Sequence, residues 1–312
     1  MVDKWLFDIL KITEYTAIAC YDWIGKGDNI AADQAAVDIM RKELNKIAID
    51  GKIVIGEGER DKAPMLYIGE KVGVGKEQIE IAVDPLEGTS ICARADYGAM
   101  AVMAFSTKGA FLSAPDIYME KIAIGAGFPK GIINIKNNIK DNLSNLAKHK
   151  KCAVEELTVM ILNRKRHEEI INEIRSLGAK IKLIGDGDIS AVIATSIPNN
   201  DVDIYVGIGG APEGVLAASA LKCIGGQMET KLIFNNDEQI MRAKEMGISD
   251  INKVYNIDEL VSDNVIFSAT GITDGLLVDG VKKCSNGNFT TETLLMSSLQ
   301  KKSFKIKSIQ YD

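Results

Sequence analysis

The sequence predicts an α/β protein, and three features carry that prediction. Residues 157–223 hold three successive strand–loop–helix units, a pattern that builds a sheet whose loops open at the strand ends, where ligands bind. Near the start, Trp5, Ile9, Ile12, Thr16, Ala19 and Trp23 fall at helical spacing over residues 4–24. Residues 79–84 form an apolar-rich run ending in Asp84, which reads as a buried strand.

Taken in order, the helix over 4–24 is interrupted by Gly25-Lys26-Gly27-Asp28-Asn29, and a second helix is expected over 31–48. Asp33 lies in the first turn expected of that helix, where a carboxylate can simply favour the helix dipole. A strand over 52–55 leads into Gly56-Glu57-Gly58-Glu59-Arg60-Asp61, a flexible turn whose carboxylates can converge on a point. The strand ending at Asp84 should stop at Pro85, which removes a backbone donor. Asp84 and Glu87 then share a tight turn, Gly88 supplies backbone freedom and Thr89 a hydroxyl. Residues 97–127 read as a β-meander with a break at Ser113-Ala114-Pro115. Segment 130–156 is polar and rich in Asn and Lys, and is the expected junction between an α+β domain over 1–150 and an α/β domain over 151–312.

In the second half each strand leads to a polar loop. Strand 157–162 leads to Asn163-Arg164-Lys165-Arg166 and a helix over 167–177, and strand 180–184 to Gly185-Asp186-Gly187-Asp188 and a helix over 189–196. Strand 202–207 leads to Gly209-Gly210-Ala211-Pro212-Glu213-Gly214 and a helix over 214–223. Arg164, Lys165 and Arg166 before a helix can meet a phosphate with charge-assisted bonds, or can be a solvated basic helix start. Asp186 and Asp188 can equally be helix caps. Gly209-Gly210 leaves backbone amides uncovered at a helix start, with Glu213 beside them. Gly75-Lys76 is followed by Glu77 and makes no Walker pattern, and Gly207-x-Gly209 is followed by Pro212 where a dinucleotide fingerprint needs glycine. A nucleotide-binding Rossmann domain is therefore disfavoured.

Composition narrows the function classes. A net charge of −6 argues against nucleic acid, which requires a basic face. It leaves room for phosphorylated substrates if metal ions stand between carboxylates and phosphate. The five cysteines (Cys20, Cys92, Cys152, Cys223, Cys284) form no Cys-x-x-Cys pair, so free thiols in a reducing compartment are expected. With only His149 and His167 in the chain, a metal site has to be built from carboxylate oxygen, which favours magnesium or manganese over zinc or iron. The start of the sequence has no basic n-region before a long apolar stretch, and no uninterrupted apolar span is long enough for a membrane helix. A cytoplasmic protein with no membrane partner is expected.

Asp84-Pro85-Leu86-Glu87-Gly88-Thr89 is far more specific than Asp-Pro alone. Together with Gly56-Glu57 before it and Gly209-Gly210-Ala211-Pro212-Glu213-Gly214 after it, the chain resembles the class II fructose-1,6-bisphosphatases of the GlpX type, across nearly its whole length. These belong to the metal-dependent sugar phosphatase superfamily that includes inositol monophosphatase. Inositol monophosphatases carry Asp-Pro-x-Asp-Gly-Thr and a late Trp-Asp motif; here Glu87 replaces the second acid and Glu213 stands in place of the Trp-Asp.

The resemblance implies a layered α/β/α/β/α sandwich, with an antiparallel N-terminal sheet and a C-terminal α/β half. It places Asp33, Glu57, Asp84, Glu87 and Glu213 on metal-ligand positions for manganese or magnesium, and Thr89 on the hydroxyl that helps position the attacking water. Thr89, Glu57 and Asp84 are the catalytic candidates. Substrate contacts carry over to Glu87, Gly88, Thr89, Tyr118, Arg164, Lys165, Arg166, Asp186, Gly187, Asp188 and Gly210. The N-terminal domain then carries most metal ligands and the C-terminal domain the phosphate and sugar contacts. The implied reaction is hydrolysis of the 1-phosphate of fructose 1,6-bisphosphate, by a homo-oligomer acting on a small sugar bisphosphate. A sedoheptulose-1,7-bisphosphatase or dual-specificity enzyme would share every motif. A non-catalytic sugar-phosphate sensor on the same fold should have lost Thr89 or a ligand, and all those positions are filled.

Overall fold

A computed structural model describes residues 2–56, 65–198 and 200–311. Its first elements are Leu6–Cys20 (α1), Asn29–Leu44 (α2), Ile49–Ile55 (β1), Lys71–Val72 (β2), Glu77–Glu87 (β3), Thr89–Arg94 (α3) and Met100–Thr107 (β4). Tyr118–Ile124 (β5), Ile139–Lys150 (α4), Thr158–Leu162 (β6), Glu168–Ser176 (α5), Lys180–Ile184 (β7), Asp188–Ala194 (α6), Ile204–Gly210 (β8) and Ala211–Ile224 (α7) follow. The last are Gln227–Leu232 (β9), Asp237–Glu245 (α8), Val254–Asn256 (β10), Ile257–Leu260 (α9), Val265–Gly271 (β11), Lys282–Lys283 (β12), Phe289–Ser297 (β13) and Lys302–Gln310 (β14).

These elements form a mixed α/β protein with two sheets. Met1–Ser113 joins Val261–Asp312 in one compact unit, and Ala114–Leu260 forms another. The division expected at 150 therefore falls inside the second unit. Segment 130–156 reads as a junction because α4 shows its polar face in the sequence: Lys140, Asp141, Ser144, Asn145, Lys148 and Lys150 are exposed, while Leu143, Leu146 and Ala147 are buried. The unit boundary lies instead at the Ser113-Ala114-Pro115 break. Residues 97–127 are accordingly no meander, since β4 belongs to the first sheet and β5 to the second.

The first unit has a sheet in the order β12-β13-β11-β4-β3-β1-β2, with β14 also pairing β13. It is antiparallel except where β1 runs parallel to β3. Helices α1 and α2 supply Ile9, Ile12, Met40 and Leu44 to a core shared with Ile53, Ile81 and Phe105 of the sheet. Each such side chain, fully buried, contributes about 1.5–3 kcal/mol. Buried hydroxyls fix α1 on the sheet: Thr13 Oγ1 lies 2.7 Å from Ser268 Oγ and accepts from Thr270 Oγ1 at 2.8 Å.

The second unit has a sheet in the order β10-β9-β5-β8-β6-β7, antiparallel around β5 and parallel where β6 meets β7 and β8. Helices α4 and α5 cover one face through Leu143, Leu146, Ile171 and Ile174, against Ile122, Val159, Ile161 and Val206. The strand–helix alternation expected over 157–223 is present in β6 to α7.

Candidate active site

The Asp84 segment is built differently from expectation. Strand β3 does not end at Pro85 but continues to Glu87. Its register against β4 shifts between Asp84, opposite Val102, and Glu87, opposite Met100: three steps on one strand face two on the other. This is a bulge. In a regular strand, residues three apart point to opposite faces; the extra residue breaks that alternation. Asp84 and Glu87 thus each present a carboxylate oxygen within 4.8 Å of the other. Pro85, which has no N–H, is tolerated because the bulge is where ladder bonds are given up. The Leu86 N–H is satisfied by Asp84 Oδ1 at 3.1 Å. Both carboxylates are buried, at 6% and 5% exposure.

Gly88 follows at φ 83°, the N-cap of α3, and a Cβ there would sit 2.9 Å from Ile91 Cδ1. Glycine is required on both counts. Half-buried Thr89 is the first residue of α3. Asp33 is not in the first turn of its helix: α2 starts at Asn29, and Asp28 caps it by accepting from the Ala31 N–H at 2.9 Å. The dipole role assigned to Asp33 therefore weakens, and its Oδ1 is buried. Glu57 lies outside the described residues.

In the second unit, the glycines expected to form a loop are the end of a strand. Gly209 and Gly210 pair with Met119 and Tyr118 across β8 and β5, and α7 begins at once. The Ala211 N–H goes to Ile117 O at 2.8 Å, so the open amides expected there are partly used. What the glycines supply is room. A Cβ at Gly209 would lie 2.1 Å from Asp188 Oδ2, and one at Gly210 would lie 2.0 Å from Glu213 Oε2. Gly210→Ala should therefore displace the Glu213 carboxylate rather than unfold the chain. We expect divalent-cation binding weaker by at least about tenfold, with an unchanged melting temperature.

Glu213 Oε2 is buried and has no hydrogen-bond partner among the described residues. Its pKa is pushed up to about 7, first by burial and then by the charge of Asp188, with Lys121 opposing. Asp188 begins α6 without capping it; its carboxylate pairs with buried Lys121. Arg166 is exposed, donates from Nε and Nη2 to Ile208 O at 3.0 and 2.7 Å, and lies 4.8 Å from the Tyr118 ring centroid. Arg164 Nη2 is 3.7 Å from Asp186 Oδ1, and Lys165 opens a 3-10 turn that precedes α5. Gly187 takes φ 85° as the α6 N-cap.

Sequence reasoning missed Lys121 and His167. Lys121 had a signal, a charged residue that leads directly into the apolar run Ile122-Ala123-Ile124. His167 accepts from the Ile208 N–H at Nε2 (2.9 Å), which leaves Nδ1 to donate to Leu162 O (2.8 Å). Burial holds its pKa down, so it is a neutral structural residue.

Buried carboxylates repel one another unless they are protonated or share a cation. The Asp84–Glu87 pair and the unpartnered Glu213 oxygen each fit an oxygen-ligated metal. Residues 3–310 match the family described as "Bacterial fructose-1,6-bisphosphatase, glpX-encoded". The chain belongs to this family. It is 46% identical to "Fructose-1,6-bisphosphatase 1 class 2" of Escherichia coli (strain K12), covering 96% of this chain and 93% of that one. It is 42% identical to "D-fructose 1,6-bisphosphatase class 2/sedoheptulose 1,7-bisphosphatase" of Trichodesmium erythraeum (strain IMS101), covering 94% and 92%. The solved inositol monophosphatase from Anabaena (Nostoc) sp. PCC 7120 overlaps loosely, with a TM-score of 0.35 and 11% identity over 69% of this chain and 81% of that one. No helix among the described residues is long and apolar enough to cross a membrane.

Proposed function

We propose that the protein hydrolyses fructose 1,6-bisphosphate to fructose 6-phosphate and phosphate, using manganese or magnesium. Family membership over residues 3–310 supports the reaction. The observation that carries the chemistry is the bulge that brings Asp84 and Glu87 together as a buried carboxylate pair. Asp33, Glu57, Asp84, Glu87 and Glu213 are proposed to hold the metal. When bound, it lowers the pKa of water and neutralises charge on the leaving oxygen.

The chain's own residues supply orientation. Thr89, beside Glu87 and Gly88, is proposed to accept the attacking water in a hydrogen bond that aims it at phosphorus. Arg166, oriented by Ile208 O and Tyr118, is proposed to hold the retained phosphate with Arg164 and Lys165. Asp186 and Asp188 then accept sugar hydroxyls, while the Gly187 and Gly210 backbones let the sugar approach closely. A cytoplasmic, homo-oligomeric enzyme completes the proposal, and five free thiols suit a reducing compartment.

The test is phosphate release from a panel of sugar phosphates that includes sedoheptulose 1,7-bisphosphate. Exhaustive chelation should abolish release, and manganese or magnesium should restore it. Because Glu213 favours its protonated form below about pH 7, the metal requirement should rise as pH falls through that value. Full activity after chelation would sink the metal-dependent reading.

A further inference from the structure

We propose that Lys121 is a positioning residue that withholds Asp188 from the bound cation, leaving Glu213 as the metal carboxylate of the second unit. The inference rests on the functional reading above and adds a residue to it. Lys121 lies on β5, between β8 and β9, and its side chain is fully buried. An ammonium in such a place requires a partner, and its Nζ pairs with Asp188 Oδ2. The Tyr205 hydroxyl donates to the same oxygen at 3.5 Å. Asp188 Oδ2 is thus engaged twice.

The surrounding backbone is shaped for the pair. A Cβ at Gly209 would meet Asp188 Oδ2 at 2.1 Å and Lys121 Nζ at 3.1 Å, and one at Gly214 would meet Lys121 Cε at 3.2 Å. Glu213, next to Gly214, has a buried Oε2 with no hydrogen-bond partner among the described residues. Two carboxylates therefore start neighbouring helices, α6 and α7, above one lysine. Asp188 Oδ2 is held by that lysine, and Glu213 Oε2 is open. A hard cation takes whichever anionic oxygens are available. Sequence type alone cannot sort Asp188 from Glu213, since both are acids in a first helical turn. Lys121 sorts them, and keeps Asp188 for the substrate.

Manganese titration of the substrate-free protein, followed by electron paramagnetic resonance, reads this directly. Lys121→Met removes the charge and keeps the length of the side chain. Expected is manganese binding at least about tenfold tighter, or one further ion per chain, together with about a tenfold higher KM as Asp188 is drawn away from the sugar. Lys121→Met/Asp188→Asn removes both charges, a change that buried ion pairs tolerate well. It should bind manganese within about twofold of the unmodified protein while its KM stays raised. Manganese affinity unchanged or weakened, with no further ion bound, in a folded Lys121→Met variant would overturn the inference. So would a loss of about tenfold or more in the double variant, which would make Asp188 a metal ligand; this arm stands even if the single variant does not fold. An unmodified protein that neither binds manganese nor releases phosphate would overturn the functional reading itself.

Discussion

Asp84→Asn is expected to lower kcat at least about a hundredfold in a protein that stays folded, the scale on which losing one essential charged group usually falls. The reasons are local. Asn keeps the shape of Asp, and its carbonyl oxygen can still accept the Leu86 N–H that Asp84 Oδ1 accepts at 3.1 Å. The bulge that carries Pro85 should therefore survive. What disappears is one of two negative charges held within 4.8 Å of each other in a buried setting. A metal held by the remaining carboxylates would lose both affinity and position. The measurement is kcat at saturating manganese, alongside the circular dichroism spectrum and melting temperature. A folded variant that keeps more than a tenth of its kcat would remove Asp84 from the metal site.

Arg166→Ala should separate substrates rather than abolish turnover. The guanidinium is not a loose surface group: two of its nitrogens hold Ile208 O, and its face lies 4.8 Å from the centroid of Tyr118. Such anchoring fixes the fork before substrate arrives, so less conformational entropy is lost on binding a phosphate. If it holds the phosphate that is retained, kcat/KM for fructose 1,6-bisphosphate should fall roughly ten- to hundredfold. That corresponds to a charge-assisted hydrogen bond of about 1.5–3 kcal/mol. Fructose 1-phosphate lacks the retained phosphate, and its kcat/KM should barely change. Equal losses for both would assign Arg166 to the reacting phosphate or to the fold through Ile208. No loss for either would make it a solvated surface residue.

Much of this arrangement was legible because its signals are local. The strand–helix alternation after residue 157 depends on apolar periodicity, and the elements from β6 to α7 follow it. The Asp-Pro-x-Glu-Gly-Thr run is a contiguous motif, and contiguous motifs survive any error in element boundaries. Elements governed by partners distant in sequence were misread. Strand β4 looks like part of one meander with β5 because both are apolar, yet β4 pairs with β3 and β11 while β5 pairs with β8 and β9. Helix α4 looks like a linker because polar residues dominate it, while Leu143 and Leu146 close a core.

By itself, then, the sequence determined the α/β class, the family and the kinds of residue a carboxylate metal site needs. Tertiary structure alone decided how those residues are used. Whether Asp84 and Glu87 face together depends on one extra residue opposite β4, and a ladder register is set by a strand that lies elsewhere in the chain. Whether Asp188 is open or occupied depends on Lys121, 67 residues away. Charge and spacing can be read along a chain; pairing and burial belong to the folded whole, because each is a relation between segments that only folding brings into contact.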